Sequence, residues 1–292
     1  MSEWKSSTAG QSAVTGRPGA ADSARSTAPV LRLFSYLPNP RIAKATIAAR
    51  LCGATIEVRG APPRELAHWL WDFDARPLEA DAASEGTGRA ARTGFTGTLH
   101  KTDAFLAAHP FGSVPAAFSP DGKIGVFESN AIARAVVRLA PERTRLYGDD
   151  PYTASRIDGF LDASLVFARD VQVYLLELGA GRVKPPTHER ARAARDAYLA
   201  GIEQALASSA HSFLVGDALT LADVVFAAEL ALFSAERASH HVLSDAALPP
   251  LYGEELREAF RRALAHFARL CAHEAFAPDL GPYLEKLERA TA

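Results

Sequence analysis

Apolar and polar positions change their period along this chain of 292 residues, and the change divides it. Val30–Phe34 is a short apolar run followed by Leu37-Pro38-Asn39-Pro40. The prolines exclude a helix across the turn, so the pattern predicts a buried strand and then a break. Ile42, Ala45, Ala49 and Cys52 mark one face of a helix that Gly53 ends as its C-cap, and Ile56–Arg59 predicts a second strand. Val114–Phe118 and Ile124–Glu128 flank Pro120-Asp121-Gly122, a β-hairpin signal because glycine accepts the positive φ of a tight turn. Ser129 is placed to cap a helix whose buried face is Ile132, Val136 and Leu139. Beyond Pro141 every apolar series, such as Ile157, Leu161 and Leu165 or Phe260, Leu264, Phe267 and Cys271, has helical spacing.

Two stretches carry no period. Residues 1–29 are small and polar and predict a disordered tail, since they cannot bury enough surface to offset chain entropy. Residues 62–103 mix proline, glycine and charge and read as an insertion, with one amphipathic piece at 66–73. The predicted plan is therefore an α/β N-terminal domain at 30–140 carrying that insertion, then an all-α C-terminal domain at 150–288.

Composition narrows the function. Thirty-two Lys and Arg against 34 Asp and Glu give a charge of −2, which offers no general attraction for nucleic acid or an anionic membrane surface. Cys52 and Cys271 are the only cysteines, so neither a disulfide framework nor a cysteine-ligated metal site is expected. Two lone cysteines suit a reducing, cytoplasmic setting, and a soluble protein that is not exported is expected because no apolar stretch reaches membrane-spanning length and Met1–Pro29 lacks the plan of a secretory signal. Dinucleotide, P-loop, serine-hydrolase and zinc-protease motifs are all missing, and no metal is expected.

Three breaks in regular structure hold the candidate chemistry. Tyr36 to Arg41 joins a strand end to a helix start, where α/β sheets bind ligands, although a proline-stiffened turn gives the same pattern. Val114-Pro115 opens a strand with a residue that cannot donate to a ladder, leaving the preceding backbone for another partner, or for nothing if this is a surface turn. Glu128-Ser129-Asn130 brings a carboxylate to a helix N-terminus, a pairing that suits an amino acid zwitterion or serves as an ordinary N-cap.

Four segments in order then carry a resemblance: Phe34-Ser35-Tyr36 through Gly53; His109-Pro110-Phe111-Gly112-Ser113-Val114-Pro115; Phe127 to Ile132; and Phe213 to Asp217 with Leu219 to Asp223. Together they resemble the cytosolic glutathione transferase superfamily, over about Val30 to Phe276. With Asn39 and Ala61-Pro62-Pro63 they look most like the transferase domain of the elongation factor 1 gamma subunit and its bacterial relatives.

The resemblance implies a thioredoxin-like N-terminal domain that binds glutathione and an all-helical substrate domain, paired as a homodimer. By position, the backbone of Val114, before a cis Pro115, pairs with the cysteinyl part of glutathione, while Glu128 and Ser129 take its γ-glutamyl end. Asn39 stands at the activating position and donates to the sulfur, with Tyr36 the nearby alternative donor; on electrostatic grounds alone, Arg41 at the start of the helix adds charge beside the thiol where it points inward. Thr220 and Asp223 match the family's capping box. A small electrophile is expected against the helix from Tyr152, with Phe160 and Phe167 as candidate lining or as core. Two departures stand out: Ser113 replaces the family's usual Lys, and Asn39 replaces its activating Tyr, Ser or Cys. The rival reading is a non-catalytic interaction module, with Trp69 and Trp71 of the insertion at its partner surface.

Overall fold

The protein is described by a computed structural model that covers residues 12–14, 28–78, 86–91, 94–141 and 144–291. Strand β1 (Ser12–Val14) pairs antiparallel with β3 below, so three residues of the expected 1–29 tail join a sheet. The rest of that tail through residue 27 lies outside the described residues. The N-terminal domain continues with β2 (Leu31–Tyr36), α1 (Pro40–Cys52) and β3 (Ile56–Ala61). Gly53 ends α1 at φ 68°, the left-handed conformation its sequence position predicted.

The 62–103 segment is not patternless, as the sequence suggested. It contributes β4 (Trp69–Trp71), β5 (Arg76–Pro77), β6 (Gly88–Ala90) and β7 (Thr98–Lys101), a second sheet ordered β5-β4-β7-β6. Each strand is only two to four residues long, too short to show an alternating period. A one-and-a-half-turn helix, α2 (Asp103–Ala108), follows, capped by the Thr102 hydroxyl, which accepts from Phe105 N at 3.0 Å.

The predicted hairpin is β8 (Ala116–Phe118) with β9 (Gly125–Phe127), turning through Gly122 at φ 75°. The first sheet runs β1-β3-β2-β8-β9, with β2 parallel to β3 and antiparallel to β8. Strand alternation splits its side chains between two cores. Leu31, Leu33 and Ala117 face α1 and the main core, while Phe34, Ala116 and Phe118 face the second sheet. There Trp69 stacks on Phe34 at 6.0 Å and Trp71 meets the same ring edge-on at 5.3 Å. Both tryptophans are buried, which removes them as a partner surface; they close the sheet's second face.

The helical domain is reached through α3 (Ser129–Arg138). Its members are α4 (Pro151–Gly179), α5 (Pro185–Ser208), α6 (Leu221–Phe233), α7 (His240–Asp245), α8 (Glu254–Ala259), α9 (Arg261–Ala272) and α10 (Ala277–Thr291). Helix α6 is buried on every side and packs on α1, α4 and α9, so one core runs through both domains. The Thr220–Asp223 capping box forms as expected, with Asp223 accepting from Thr220 N at 2.9 Å and also from His266 Nε2 at 2.8 Å. No helix among the described residues is long and apolar enough to cross a membrane.

Candidate functional site

The end of β2, the start of α1 and the approach to β8 meet in a cleft of about 490 Å³ lined by Tyr36, Asn39, Arg41, Ser113, Val114 and Pro115. Five of the seven residues singled out from the sequence therefore share one space. The Val114–Pro115 bond is cis, as the resemblance implied. Glu128 and Ser129 do not line this cleft; they stand at the adjoining β9–α3 junction.

Asn39 is the N-cap of α1. Its Oδ1 accepts from Arg41 N at 2.9 Å, satisfying one of the helix's orphan donors, and its Nδ2 donates to Ser35 Oγ at 3.0 Å. A carboxamide carries two N–H donors, so one remains for the cleft. Burial pushes the Tyr36 phenol above its ordinary pKa, with Arg41 pulling down and Glu229 pushing up, so the hydroxyl stays protonated and can donate at neutral pH.

Arg41 reaches the cleft wall, yet its guanidinium is tied to the helical domain. It donates to Glu229 Oε1 at 3.2 Å, Gln172 Oε1 at 2.7 Å and the Ala168 carbonyl at 3.1 Å. Below it Lys44, fully buried, donates to Glu229 Oε1 at 2.5 Å, Asn130 Oδ1 at 2.8 Å and Ser129 Oγ at 3.0 Å. Burial works against the Glu229 charge, but Lys44 and then Arg41 outweigh it and hold the carboxyl below its ordinary range. Ser129 is the first residue of α3 and not its cap; its hydroxyl accepts a hydrogen bond from Lys44 Nζ. Glu128 precedes the helix at φ 68°, a conformation that non-glycine residues rarely adopt and that concentrates at functional sites. Its exposed side chain is near enough for its charge to act on both Arg41 and Lys44.

Sequence reasoning did not assign the remaining walls residue by residue: the second sheet supplies Trp71, Leu99 and Lys101, the β6–β7 connection supplies Phe95, and α4 supplies Gln172 and Leu176. Phe95 packs edge-on against Trp71 at 5.4 Å, and Lys101 Nζ lies 4.7 Å from the centre of the Trp71 ring while donating to Gly112 O at 2.6 Å. Of the two phenylalanines expected near the substrate, Phe167 is core, stacked on Tyr198 at 4.9 Å, and Phe160 packs on the core under Arg156. The cleft residues of α4 lie further along the helix, because its first turns face α3 and the core. One signal for the buried pair was present: Lys44 and Glu229 are single charges inside otherwise apolar helical runs. Among the described residues no group of three or more His, Cys, Asp or Glu is placed to hold a metal ion.

No protein-family model matches the chain. It is similar to elongation factor 1-gamma 3 of Oryza sativa subsp. japonica, 36% identical over 136 residues that make up 46% of this chain and 32% of the relative. It is also similar to a glutathione S-transferase-like protein of Gibberella moniliformis, 28% identical over 200 residues, or 68% of this chain and 74% of the relative. The chain spans about a third of the length of the elongation factor relatives it matches. Among solved structures, a Phanerochaete chrysosporium glutathione transferase with oxidized glutathione superposes with TM-score 0.61 at 13% identity, covering 89% of this chain and 98% of that one. A Methylobacterium radiotolerans glutathione S-transferase in complex with glutathione sulfonate gives TM-score 0.55 at 20% identity, covering 86% and 94%. The chain thus carries the glutathione transferase fold and is related in sequence to the elongation factor 1-gamma subunits and glutathione transferase-like proteins of that superfamily.

Proposed function

We propose that the cleft binds glutathione and presents its thiol to a small electrophile, in a cytoplasmic homodimer with a detoxifying role. The observation that carries this reading is the convergence of Tyr36, Asn39, Val114 and Pro115 on one cleft beside the strained Glu128 and the N-terminus of α3. The Val114 backbone pairs with the cysteinyl part, and Glu128 with Ser129 takes the γ-glutamyl end, carboxylate toward the helix and ammonium toward Glu128. Trp71, Phe95, Phe111 and Leu176 offer the apolar wall for the electrophile. In the reaction the thiol loses its proton, the sulfur forms a bond to the electrophilic carbon, and a leaving group departs or a conjugated carbon takes up a proton.

Magnitudes set what the site must supply. A free thiol has a pKa of about 8.5, and lowering it by about two units requires roughly 2.7 kcal/mol of preference for the thiolate. One Asn39 N–H contributes about 0.5–1.5 kcal/mol and the start of α1 about 0.3–1 kcal/mol. The protonated Tyr36 hydroxyl is the remaining donor, and Arg41, compensated by Glu229, adds little net charge. Activation is therefore modest. Exposed apolar side chains on α4, Leu165, Val166 and Val173, support a two-fold partner on that side.

Calorimetric titration with glutathione tests the reading. Wild-type protein is expected to bind it, and Glu128→Gln to weaken binding about tenfold, since a charged hydrogen bond is worth about 1.5–3 kcal/mol. No binding, or an unchanged affinity in the variant, overturns the assignment. A mass in light scattering equal to one chain removes the dimer. A second reading, a non-catalytic docking module, is favoured by the commitment of Asn39 to Ser35 and Arg41 N and by the elongation factor relatives. It takes over if bound glutathione titrates like the free thiol.

A further inference from the structure

Gln172, on the α4 wall of the cleft, has one end of its carboxamide committed. Its Oε1 accepts from Arg41 Nη1 at 2.7 Å, and a guanidinium can only donate, so this contact fixes which way the amide points. The Nε2 end therefore turns away from Arg41. It makes no hydrogen bond among the described residues, and it is not closed off from the cleft that Gln172 lines. Arg41 is itself held by Glu229 and the Ala168 carbonyl, so the amide rests on a fixed support. A cation on the amide oxygen also draws electron density from the nitrogen, which makes its N–H groups stronger donors.

The surroundings of this donor are apolar. Leu176 lies one turn further along α4, and Trp71, Phe95 and Leu99 stand across the same 490 Å³ cleft, with Phe95 edge-on to Trp71. In an apolar site a fixed donor orients a ligand by the ligand's acceptor atom, and aromatic walls suit a flat body.

We propose that Gln172 is a catalytic residue whose amide N–H groups hold the carbonyl oxygen of an α,β-unsaturated ketone, a flat conjugated electrophile that lies along Leu176 toward Phe95 and Trp71. This rests on the glutathione binding proposed above. The thiol gives up its proton, and the sulfur forms a bond to the β-carbon. The electron pair of the C=C bond moves toward the carbonyl oxygen, and the α-carbon of the resulting enolate takes up one proton, so no group leaves and the proton count is unchanged. Negative charge grows on that oxygen in the transition state, so a donor placed there stabilises the transition state more than the bound ketone. Displacement of chloride from a saturated carbon develops no such oxygen.

The test compares kcat/KM for 4-phenylbut-3-en-2-one with kcat/KM for benzyl chloride, at saturating glutathione, in wild-type protein, Gln172→Met and Gln172→Glu. Gln172→Met removes the amide altogether, whereas Gln172→Glu keeps an oxygen for Arg41 and removes the donors. The ratio of enone to chloride is expected to fall about tenfold or more in both variants. Both rates are read on the same preparation, so any loss of folded protein cancels from the ratio. Calorimetric titration with glutathione separates this inference from the reading it rests on: if wild-type protein does not bind glutathione, that reading falls and the inference with it. If glutathione binds but the enone is not converted, or if the ratio is unchanged in either variant, the inference alone is overturned.

Discussion

Lys44 Nζ sits 2.5 Å from Glu229 Oε1, joining α1 of the N-terminal domain to α6 of the helical domain with both side chains closed to solvent. Arg41, one turn earlier on α1, shares the same carboxylate. The wall of the cleft that holds Arg41 and Gln172 is thus fixed by a buried charge cluster that spans the domain boundary.

Glu229→Gln leaves two cations without a counter-charge, and the expected loss is about 3–5 kcal/mol in urea unfolding. The pH dependence has a definite sign. Because the folded pKa of Glu229 lies below its ordinary value of 4.5, its contribution is complete above that value and is lost as pH falls through the folded pKa. Acid unfolding curves should show this loss in wild-type protein and not in Glu229→Gln.

Glu236 behaves in the opposite way. Its buried carboxylate accepts from Tyr174 Oη at 3.0 Å and Tyr252 N at 2.8 Å, with His240 at 3.6 Å, and burial pushes it up to about 7. A raised folded pKa means stability present below the ordinary 4.5 and lost as pH rises toward 7, by about 3 kcal/mol as an order of magnitude. Glu236→Gln keeps the acceptor for Tyr252 N and is expected to flatten stability between those limits, measured by unfolding at a series of pH values.

Trp71 links the second sheet to the first: its indole N–H donates to Leu66 O at 3.0 Å and its ring packs on Phe34, Phe95 and Phe105. Trp71→Ala should cost about 3–5 kcal/mol in denaturant unfolding, the price of a large aromatic cavity. Removing residues 66–100 should expose Phe34 and Phe118 and abolish cooperative unfolding.

Asn39 has two separable duties, capping α1 and facing the cleft. Asn39→Asp retains an oxygen for Arg41 N, so the cap of α1 is kept. The added negative charge beside a bound thiol disfavours its thiolate, so ultraviolet titration of bound glutathione should show a higher thiol pKa than in wild-type protein. Asn39→Ala, by contrast, should lose about 0.5–2 kcal/mol of stability with the cap.

Local sequence determined what local physics controls. The strand at Val30–Phe34, the Gly53 helix end, the Pro-Asp-Gly hairpin and the Thr220–Asp223 box each rest on steric or hydrogen-bonding rules that act within a few residues. Period and composition also separated the α/β half from the helical half. The resemblance then named the fold, and Tyr36, Asn39, Arg41, Val114 and Pro115 line one cleft.

Tertiary structure decided the rest. Strands of two to four residues in 69–101 have no period to read, and only pairing with one another makes them a sheet. Trp69 and Trp71 looked available for a partner because sequence shows hydrophobicity but not what already covers it. Arg41 looked like a ligand-binding cation, and its partner Glu229 lies 188 positions away, a separation that no local rule spans. Which charges meet, and which face of α4 turns to the cleft, follow from how α1 packs on α6, because desolvation and Coulomb attraction act on distances in space and not along the chain.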